Sequence, residues 1–242
     1  MKSKTHPSVL GSLRLHHDTR TGALTYVLQG GNQTAVDKSG TSLDTYIHAL
    51  YGLLRQTPAK NILMIGCGGG VLGRMLAAEG RAVTIIDIDK TSFTLAHTYF
   101  GLPKKVRCHV TDGLVFMQRT RQQFDAVIVD AFIGEDIPPQ FTGDAFCVAL
   151  RRCLARNGRM LMNVCVDTKA DPTADDVALR LKQHDWSVRI LDQRGTARNA
   201  IVLAGNVKDL RRPTLHHVPQ IEVGRVRREL TGMHFRRVSA QK

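Results

Sequence analysis

The residues NILMIGCGGGVLGRMLAA, at positions 61–78, decide the fold that this sequence predicts. Residues 62–65 are all apolar, as expected for a short strand that is buried on both faces of a sheet. Glycines dominate positions 66–70, and residues 71–78 then have the pattern of a helix. A strand that passes through a glycine turn into a helix favours a nucleotide-type ligand, because bare backbone allows close approach and the helix start offers free N–H groups.

The alternation of strand and helix continues towards the C-terminus. A final pair of strands has no helix between its members and predicts an antiparallel edge. The pattern therefore predicts an α/β fold with a doubly wound, mainly parallel, Rossmann-like sheet of seven strands. The predicted strands are 62–65, 82–86, 106–110, 124–129, 159–166, 187–192 and 199–204.

The predicted organisation has three parts. Residues 1–57 form a small β region, with a hairpin and a third strand, followed by a linking helix. Residues 58–205 form the catalytic domain. Residues 206–242 form a basic C-terminal extension, predicted to be an appendix with one helix near 221–230.

The formal net charge is +13, and the basic residues concentrate at the two ends of the chain. Such ends attract nucleic acid or anionic surfaces in some proteins, but they are more often solvated, so we do not expect a nucleic-acid partner. Neither a membrane-spanning apolar run nor a secretory signal is visible. Five cysteines without a Cys-x-x-Cys pair indicate reduced thiols and no structural zinc. These features predict a cytoplasmic protein.

Two acidic residues follow the glycine turn at informative positions. Asp87 ends the second strand, where a carboxylate can accept hydrogen bonds from both ribose hydroxyls of an adenosine. The alternative is that Asp87 or Asp89 only caps the next helix, and we assign the cap to Asp89. Asp112 and Gly113 follow the third strand, where enzymes that use S-adenosylmethionine place an acid against the adenine amine. A plain helix cap is the alternative for Asp112.

In order and spacing, the segments 61–70, 85–89, 110–113 and 127–130 resemble the spermidine synthase (polyamine aminopropyltransferase) family, over about residues 33–166. That family has the class I S-adenosylmethionine-dependent methyltransferase fold. Met64 fits this branch, since ordinary methyltransferases usually have an acid two places before the first glycine. The resemblance implies a transferase that moves an aminopropyl group from decarboxylated S-adenosylmethionine to a small polyamine substrate such as putrescine. It implies no metal, and the family commonly forms homodimers.

The resemblance also implies roles for individual residues. Asp130 corresponds to the family's catalytic acid, and a carboxylate at this edge can accept the proton that an ammonium must lose before its nitrogen attacks. Tyr46 corresponds to an amine-site tyrosine, with a plain helix-face position as the alternative. Gln33 corresponds to a glutamine that contacts the cofactor. The predicted cofactor-binding set is Gln33, Gly66, Gly68, Gly70, Asp87, Asp112 and Gly113.

The sequence departs from the family pattern at two places. Gly69 stands where the family's loop usually carries an acid for the aminopropyl ammonium, so intact S-adenosylmethionine is an alternative donor. Ile133 stands where a second acid is typical; Glu135 and Asp136 either substitute for it in binding the substrate or are solvated loop acids. Two further functions therefore stay open: a methyltransferase on the same scaffold, and a catalytically silent homologue that acts as a binding protein.

Overall fold

The computed structural model describes residues 2–134, 136–193 and 195–239, which form two β-sheets and the helices packed on them. The strands are β1 (Lys2–Ser8), β2 (Gly11–His17), β3 (Leu24–Leu28), β4 (Gly31–Val36), β5 (Asn61–Ile65), β6 (Ala82–Asp87), β7 (Arg107–Val110), β8 (Phe124–Val129), β9 (Leu154–Val166), β10 (Val188–Asp192), β11 (Arg198–Gly205) and β12 (His234–Arg236). The helices are α1 (Thr45–Arg55), α2 (Val71–Ala78), α3 (Lys90–Tyr99), α4 (Gly113–Arg119), α5 (Asp144–Cys153), α6 (Thr173–Gln183) and α7 (Val223–Gly232), with a short 3-10 helix at Pro139–Phe141.

The larger sheet has the strand order β12-β10-β11-β9-β8-β5-β6-β7. The strands from β9 to β7 pair in parallel, whereas β11 is antiparallel to both β9 and β10. This confirms the mainly parallel α/β fold with an antiparallel edge. The three-residue strand β12 pairs with β10 and makes the sheet one strand wider than the seven predicted.

The central strands are apolar because the sheet is covered on both faces. Within β5, Ile62 and Met64 belong to one hydrophobic cluster, while Leu63 and Ile65 belong to the other. Helices α1, α2 and α3 contribute to the first cluster, and α4, α5 and α6 to the second. Successive side chains of a strand point to opposite faces, so a strand covered on both sides must be apolar throughout.

The N-terminal sheet is a four-stranded antiparallel meander, β1-β2-β3-β4. It contains the predicted hairpin and third strand, and β1 is an additional, mostly exposed edge strand. Its last strand contacts the glycine turn after β5, because the backbone N–H of Gly69 donates to the Thr34 hydroxyl over 2.8 Å. The small sheet therefore packs against one side of the glycine turn.

The C-terminal extension is not an appendix, which corrects the prediction for residues 206–242. Leu230 of α7 belongs to the same hydrophobic cluster as the buried residues of α1, Val226 of α7 is buried as well, and β12 extends the large sheet. The Arg236 guanidinium donates to both carboxylate oxygens of Asp175 over 2.8 Å and to Asp192 over 2.9 Å. The wider division into three parts stays a prediction.

No helix within the described ranges is both long enough and apolar enough to cross a membrane.

Replacing Arg236 tests how firmly the extension is attached. Arg236→Met keeps the apolar stem but leaves the nearly buried Asp175 and Asp192 without this cation, so we expect a loss of about 1–3 kcal/mol in the free energy of unfolding. Urea unfolding measures the effect, with Arg228→Met, at an exposed position of α7, as the matched control. Equal unfolding midpoints for the two variants would show that the ion pairs contribute nothing.

Candidate active site

Two adjoining cavities lie at the carboxyl ends of the parallel strands, where the chain order of the sheet reverses between β5 and β8. We call them the β6 cavity, of about 80 Å³, and the β9 cavity, of about 270 Å³. The residues that line both cavities are Gln33, Cys67, Gly68, Asp130 and Phe132. Asp130 thus stands between the two spaces, and Gln33 borders both of them.

The glycine turn depends on positions where a side chain would be strained or would clash. Gly66, Gly68 and Gly70 have φ values of +95°, +49° and +68°, a region that L side chains rarely adopt. A Cβ atom at Gly66 would also lie 2.6 Å from the carbonyl carbon of Asp130. Gly66 and Gly68 line the cavities, whereas Gly70 is the N-cap residue of α2 and packs against Leu102.

Asp87 fixes the backbone on two sides of the β6 cavity. One carboxylate oxygen accepts from the Cys67 N–H over 2.8 Å, and the other accepts from the Asp89 N–H over 2.8 Å. Each oxygen retains capacity for a second hydrogen bond, so a ligand hydroxyl can share it. Burial raises the pKa of Asp87 to about 6. Asp89 caps α3 by accepting from the Thr91 N–H on one oxygen, while its other carboxylate oxygen is buried without a partner among the described residues, and Asp89 lines the β6 cavity together with Asp87.

Asp112 caps a helix and also lines the β6 cavity. One of its carboxylate oxygens accepts from the Val115 N–H over 2.9 Å and caps α4, and the other accepts from the Gln140 side-chain amide over 3.1 Å. Asp112, Gly113 and Gln140 all line the β6 cavity. A Cβ at Gly113 would lie 2.5 Å from Ile65, so glycine is required for close packing here.

Asp130 follows β8 and is held from the side by a chain of amides. Asn163, 2% exposed on β9, donates to the Asp130 carboxylate over 2.9 Å, and Asn199 on β11 donates to Asn163 over 3.0 Å. Burial raises the pKa of Asp130 to about 6, against the opposing effects of Asn163 and the Tyr46 hydroxyl. The site thus holds a carboxylate that titrates closer to neutral pH than an exposed aspartate does.

The β9 cavity contains a second carboxylate that the sequence did not indicate. Asp44, at the start of α1, lines this cavity and accepts from the Ala35 N–H over 2.8 Å. Burial, and then the charge of Asp130, raise the pKa of Asp44 to about 6. Tyr46 lines the same cavity, and its pKa lies well above its usual value because of burial and the nearby Asp130.

Asp136, in the loop after β8, lies apart from the two cavities. Asp136 is exposed and lines neither cavity; its backbone pairs with Ile133 across the turn. The prediction that Asp136 substitutes for the family's second acid is therefore not supported by its position. Glu135 lies outside the described residues.

Several residues of the site were missed, and one carried a visible signal. Asn163 is the polar residue inside the apolar run of β9, MLMNVCV, and a buried polar residue requires a partner. Asp44 and Gln140 gave no local signal, since short polar residues beside a helix start or a turn are normally capping residues. Across the ranges that the structure describes, no group of three or more His, Cys, Asp or Glu side chains could hold a metal ion.

The strand order and the paired cavities define a chain with the class I S-adenosylmethionine-dependent methyltransferase fold. The family model described as "Methyltransferase small domain" matches residues 37–184, and the chain belongs to that family. The structure is similar to that of a probable spermidine synthase from Corynebacterium glutamicum ATCC 13032, with a TM-score of 0.79, 16% sequence identity, and coverage of 98% of this chain and 91% of the other.

Two curated relatives represent different transferases. The polyamine aminopropyltransferase of Vibrio vulnificus (strain CMCP6) is 30% identical over 127 residues, which are 50% of this chain and 42% of that protein. The N-terminal histidine N-methyltransferase of Emericella nidulans is 29% identical over 133 residues, which are 53% of this chain and 24% of that protein. The match thus spans 42% of the length of the aminopropyltransferase and 24% of the length of the methyltransferase.

The raised pKa of Asp130 predicts a pH-dependent cost to stability. The folded protein keeps the proton of the Asp130 carboxyl up to about pH 6, whereas the unfolded chain releases it near pH 3.8. Binding of this proton therefore stabilises the folded state at low pH, and that stabilisation is lost as the pH rises from 3.8 to about 6. Asp130→Asn removes the charge and keeps an acceptor for Asn163, so it should stabilise the fold at pH 8 by about 1–3 kcal/mol and by little near pH 4.

Urea unfolding at both pH values measures this difference. The exposed Asp209→Asn is the control and should change stability equally little at each pH. A gain for Asp130→Asn that is the same at pH 4 and pH 8 would contradict the assignment of a buried, weakly acidic carboxyl.

Proposed function

We propose that this protein is a transferase that moves an aminopropyl group from decarboxylated S-adenosylmethionine to an amine. The observation that carries the proposal is the position of Asp130 on the boundary of two cavities, one lined by Asp87 and Asp112 and the other by Asp44. A nucleoside sulfonium in the first cavity and an ammonium in the second would meet at this residue. The polyamine aminopropyltransferase relative supports the same reaction class.

The β6 cavity provides complementary groups for the nucleoside. In the proposal, Asp87 accepts hydrogen bonds from the ribose hydroxyls and Asp112 accepts one from the adenine amine. The amide of Gln140 now donates to that Asp112 oxygen, which retains capacity for one more donor. Ile88, 40% exposed and on the cavity wall, offers an apolar surface to the base, and Gln33 borders both spaces.

The chemistry assigned to Asp130 is general-base catalysis. The ammonium must lose a proton to Asp130 before the nitrogen lone pair can attack the carbon bound to the sulfonium. The carbon–nitrogen bond then forms as the carbon–sulfur bond breaks, and the electron pair stays on sulfur to give neutral methylthioadenosine. With a pKa of about 6, Asp130 is ionised at pH 7–8 and is a stronger base than an ordinary aspartate. Asn163 and Asn199 orient it.

Methyl transfer from intact S-adenosylmethionine is the second candidate, and one observation favours it. At Gly69, where the related family carries an acid, an added Cβ would lie 2.8 Å from Thr34 and 2.9 Å from the Phe100 ring. The place is closed by neighbouring side chains, so it offers no partner for an aminopropyl ammonium. The methyltransferase relative is in accord with this alternative.

The product that forms distinguishes the two candidate reactions. We expect decarboxylated S-adenosylmethionine and putrescine to yield methylthioadenosine, measured by chromatography with mass detection. Asp130→Asn should lower turnover by about 10²-fold or more, while methylthioadenosine affinity stays within about tenfold, since the acid acts on the amine. Asp209→Asn is the control. Formation of S-adenosylhomocysteine from the intact donor would indicate a methyltransferase, and no product from either donor would indicate a silent homologue.

The ribose assignment requires a test that separates ligand contact from loop support, because Asp87 also holds the Cys67 amide. Asp87→Asn should weaken methylthioadenosine binding by about 1–3 kcal/mol through the loss of charge-assisted hydrogen bonds. Calorimetry with the 2′-deoxy analogue is the control: the wild type should discriminate between the two ligands, and the variant should discriminate much less. Undiminished discrimination would mean that Asp87 only supports the turn.

A further inference from the structure

The two ends of the parallel strands differ in charge. At the carboxyl ends, Asp87, Asp112 and Asp130 surround the two cavities. At the amino ends, basic residues dominate the segments that lead into or begin the strands from β5 to β9, which are residues 56–61, 79–82, 100–107, 120–125 and 154–159. We call this surface the basic rim, and its exposed cations are Lys60, Lys104, Lys105, Arg107, Arg121 and Arg156.

The strand order places the segments of the basic rim next to one another. The sequence of neighbours β9-β8-β5-β6-β7 has no interruption. The backbone N–H of Lys60 donates to Asp125 at the start of β8 over 2.8 Å, and Arg107 at the start of β7 donates to the Asn61 side chain over 3.5 Å. Neighbouring strands lie about 4.8 Å apart, so the cations are spread over about 19 Å.

Few acids oppose these cations. The five segments contain two acids, Glu79 and Asp125. Glu79 already forms ion pairs with Arg55 over 2.9 Å and with Arg81 over 3.0 Å. Within the described ranges, none of the six exposed cations forms an ion pair. The fold thus separates acids and bases that alternate along the chain, and it leaves one end of the strands with unpaired positive charge.

The basic rim also contains a buried cation without a counter-ion. Arg159 is 6% exposed, and no carboxylate of the described residues forms an ion pair with it. Its Nε atom has no hydrogen-bond partner in the same part of the chain, and its Nη2 atom donates to the Asn157 carbonyl over 3.3 Å. An unpaired buried charge is unfavourable, so a bound anion would supply a partner that the protein itself does not provide.

The spread of the cations favours an extended anion with regularly spaced charges. About 19 Å corresponds to roughly half a turn of a nucleic-acid duplex, which presents phosphates along its whole length. Surfaces for single strands usually include exposed aromatic side chains, whereas Phe100 and Phe124, the aromatic residues of the five segments, are buried. Membrane surfaces are usually bound with exposed apolar side chains, and the exposed large apolar residues among those described lie outside these segments.

We propose that the basic rim binds the phosphate backbone of a nucleic-acid duplex without reading its sequence, and that Arg159 contributes to this surface. The basic rim lies at the opposite end of the strands from the candidate active site, so the inference is independent of the proposed reaction. It changes the expectation from the sequence, which considered only the basic ends of the chain.

Fluorescence anisotropy with the full-length protein and a labelled duplex of about 20 base pairs, prepared once as DNA and once as RNA, tests the inference. Contacts with about four phosphates predict that the affinity falls about 10²-fold between 50 and 200 mM salt. The triple variant Lys104→Gln, Arg107→Gln, Arg121→Gln should weaken binding by about tenfold or more. The matched control removes one lysine and two arginines from exposed positions of the N-terminal sheet and its turn, and it should lose less than about threefold. Its substitutions are Lys2→Gln, Arg14→Gln and Arg20→Gln.

Arg159→Met should weaken duplex binding by about threefold or more, and Arg159→Lys should recover part of that loss. The melting temperature and the affinity for methylthioadenosine should stay unchanged in both triple variants, because neither set of residues lines the cavities.

Four results would overturn the inference. They are no binding of either duplex at about 50 mM salt, equal losses in the two triple variants, tighter binding of a single strand than of a duplex, and equally tight binding to vesicles of anionic phospholipid. Unchanged binding in Arg159→Met would remove this residue from the surface. None of these results affects the proposed transfer reaction, which is tested by its product.

Discussion

The close approach of two backbone segments, at Gly66 and Asp130, is the constraint on which the candidate site depends. The Asp130 N–H donates to the Ile65 carbonyl, and the backbone of Asp130 occupies the space where a side chain at position 66 would lie. This contact places the glycine turn and the acid at one point, above the gap where the sheet reverses its chain order. The two cavities share a boundary because these two segments touch.

The site places three buried carboxyl groups close together, and burial disfavours the ionised form of each. Asp44, Asp87 and Asp130 each have a pKa of about 6, raised mainly by burial. A protein selected only for stability would not keep three weakly acidic carboxyls around two adjoining cavities, because each ionised form is less stable there than in water. Such groups are typical of sites where ligands supply the missing partners. The surrounding amides and backbone N–H groups hold these side chains in position before any ligand binds.

The sequence alone was sufficient to predict the parallel core of the sheet and one side of the candidate site. Short apolar strands, the glycine turn and the acids at strand ends are local signals, and parallel topology brings strand ends to one edge. Asp87, Asp112 and Asp130 accordingly lie around adjoining cavities. The other side of the site contains residues that are far apart in the sequence, and no local pattern marked them. Asp44 reaches the site because α1 packs beside the sheet, and Glu229 lies near it through α7. A three-residue strand such as β12 is too short for a periodic pattern to mark it.

The contacts of α7 with the start of α1 also have a consequence for the order of assembly. Arg225 and Glu229 bind the backbone carbonyl of Leu43 and the hydroxyl of Thr45, on either side of Asp44. During synthesis, α7 leaves the ribosome after every parallel strand of the sheet, so its contacts with the start of α1 are made after the parallel core has been synthesised. The chain thus supplies the acids at the ends of the parallel strands before the segment that holds the start of α1. Sequence changes in α7 would therefore act on Asp44 through its two neighbours, Leu43 and Thr45.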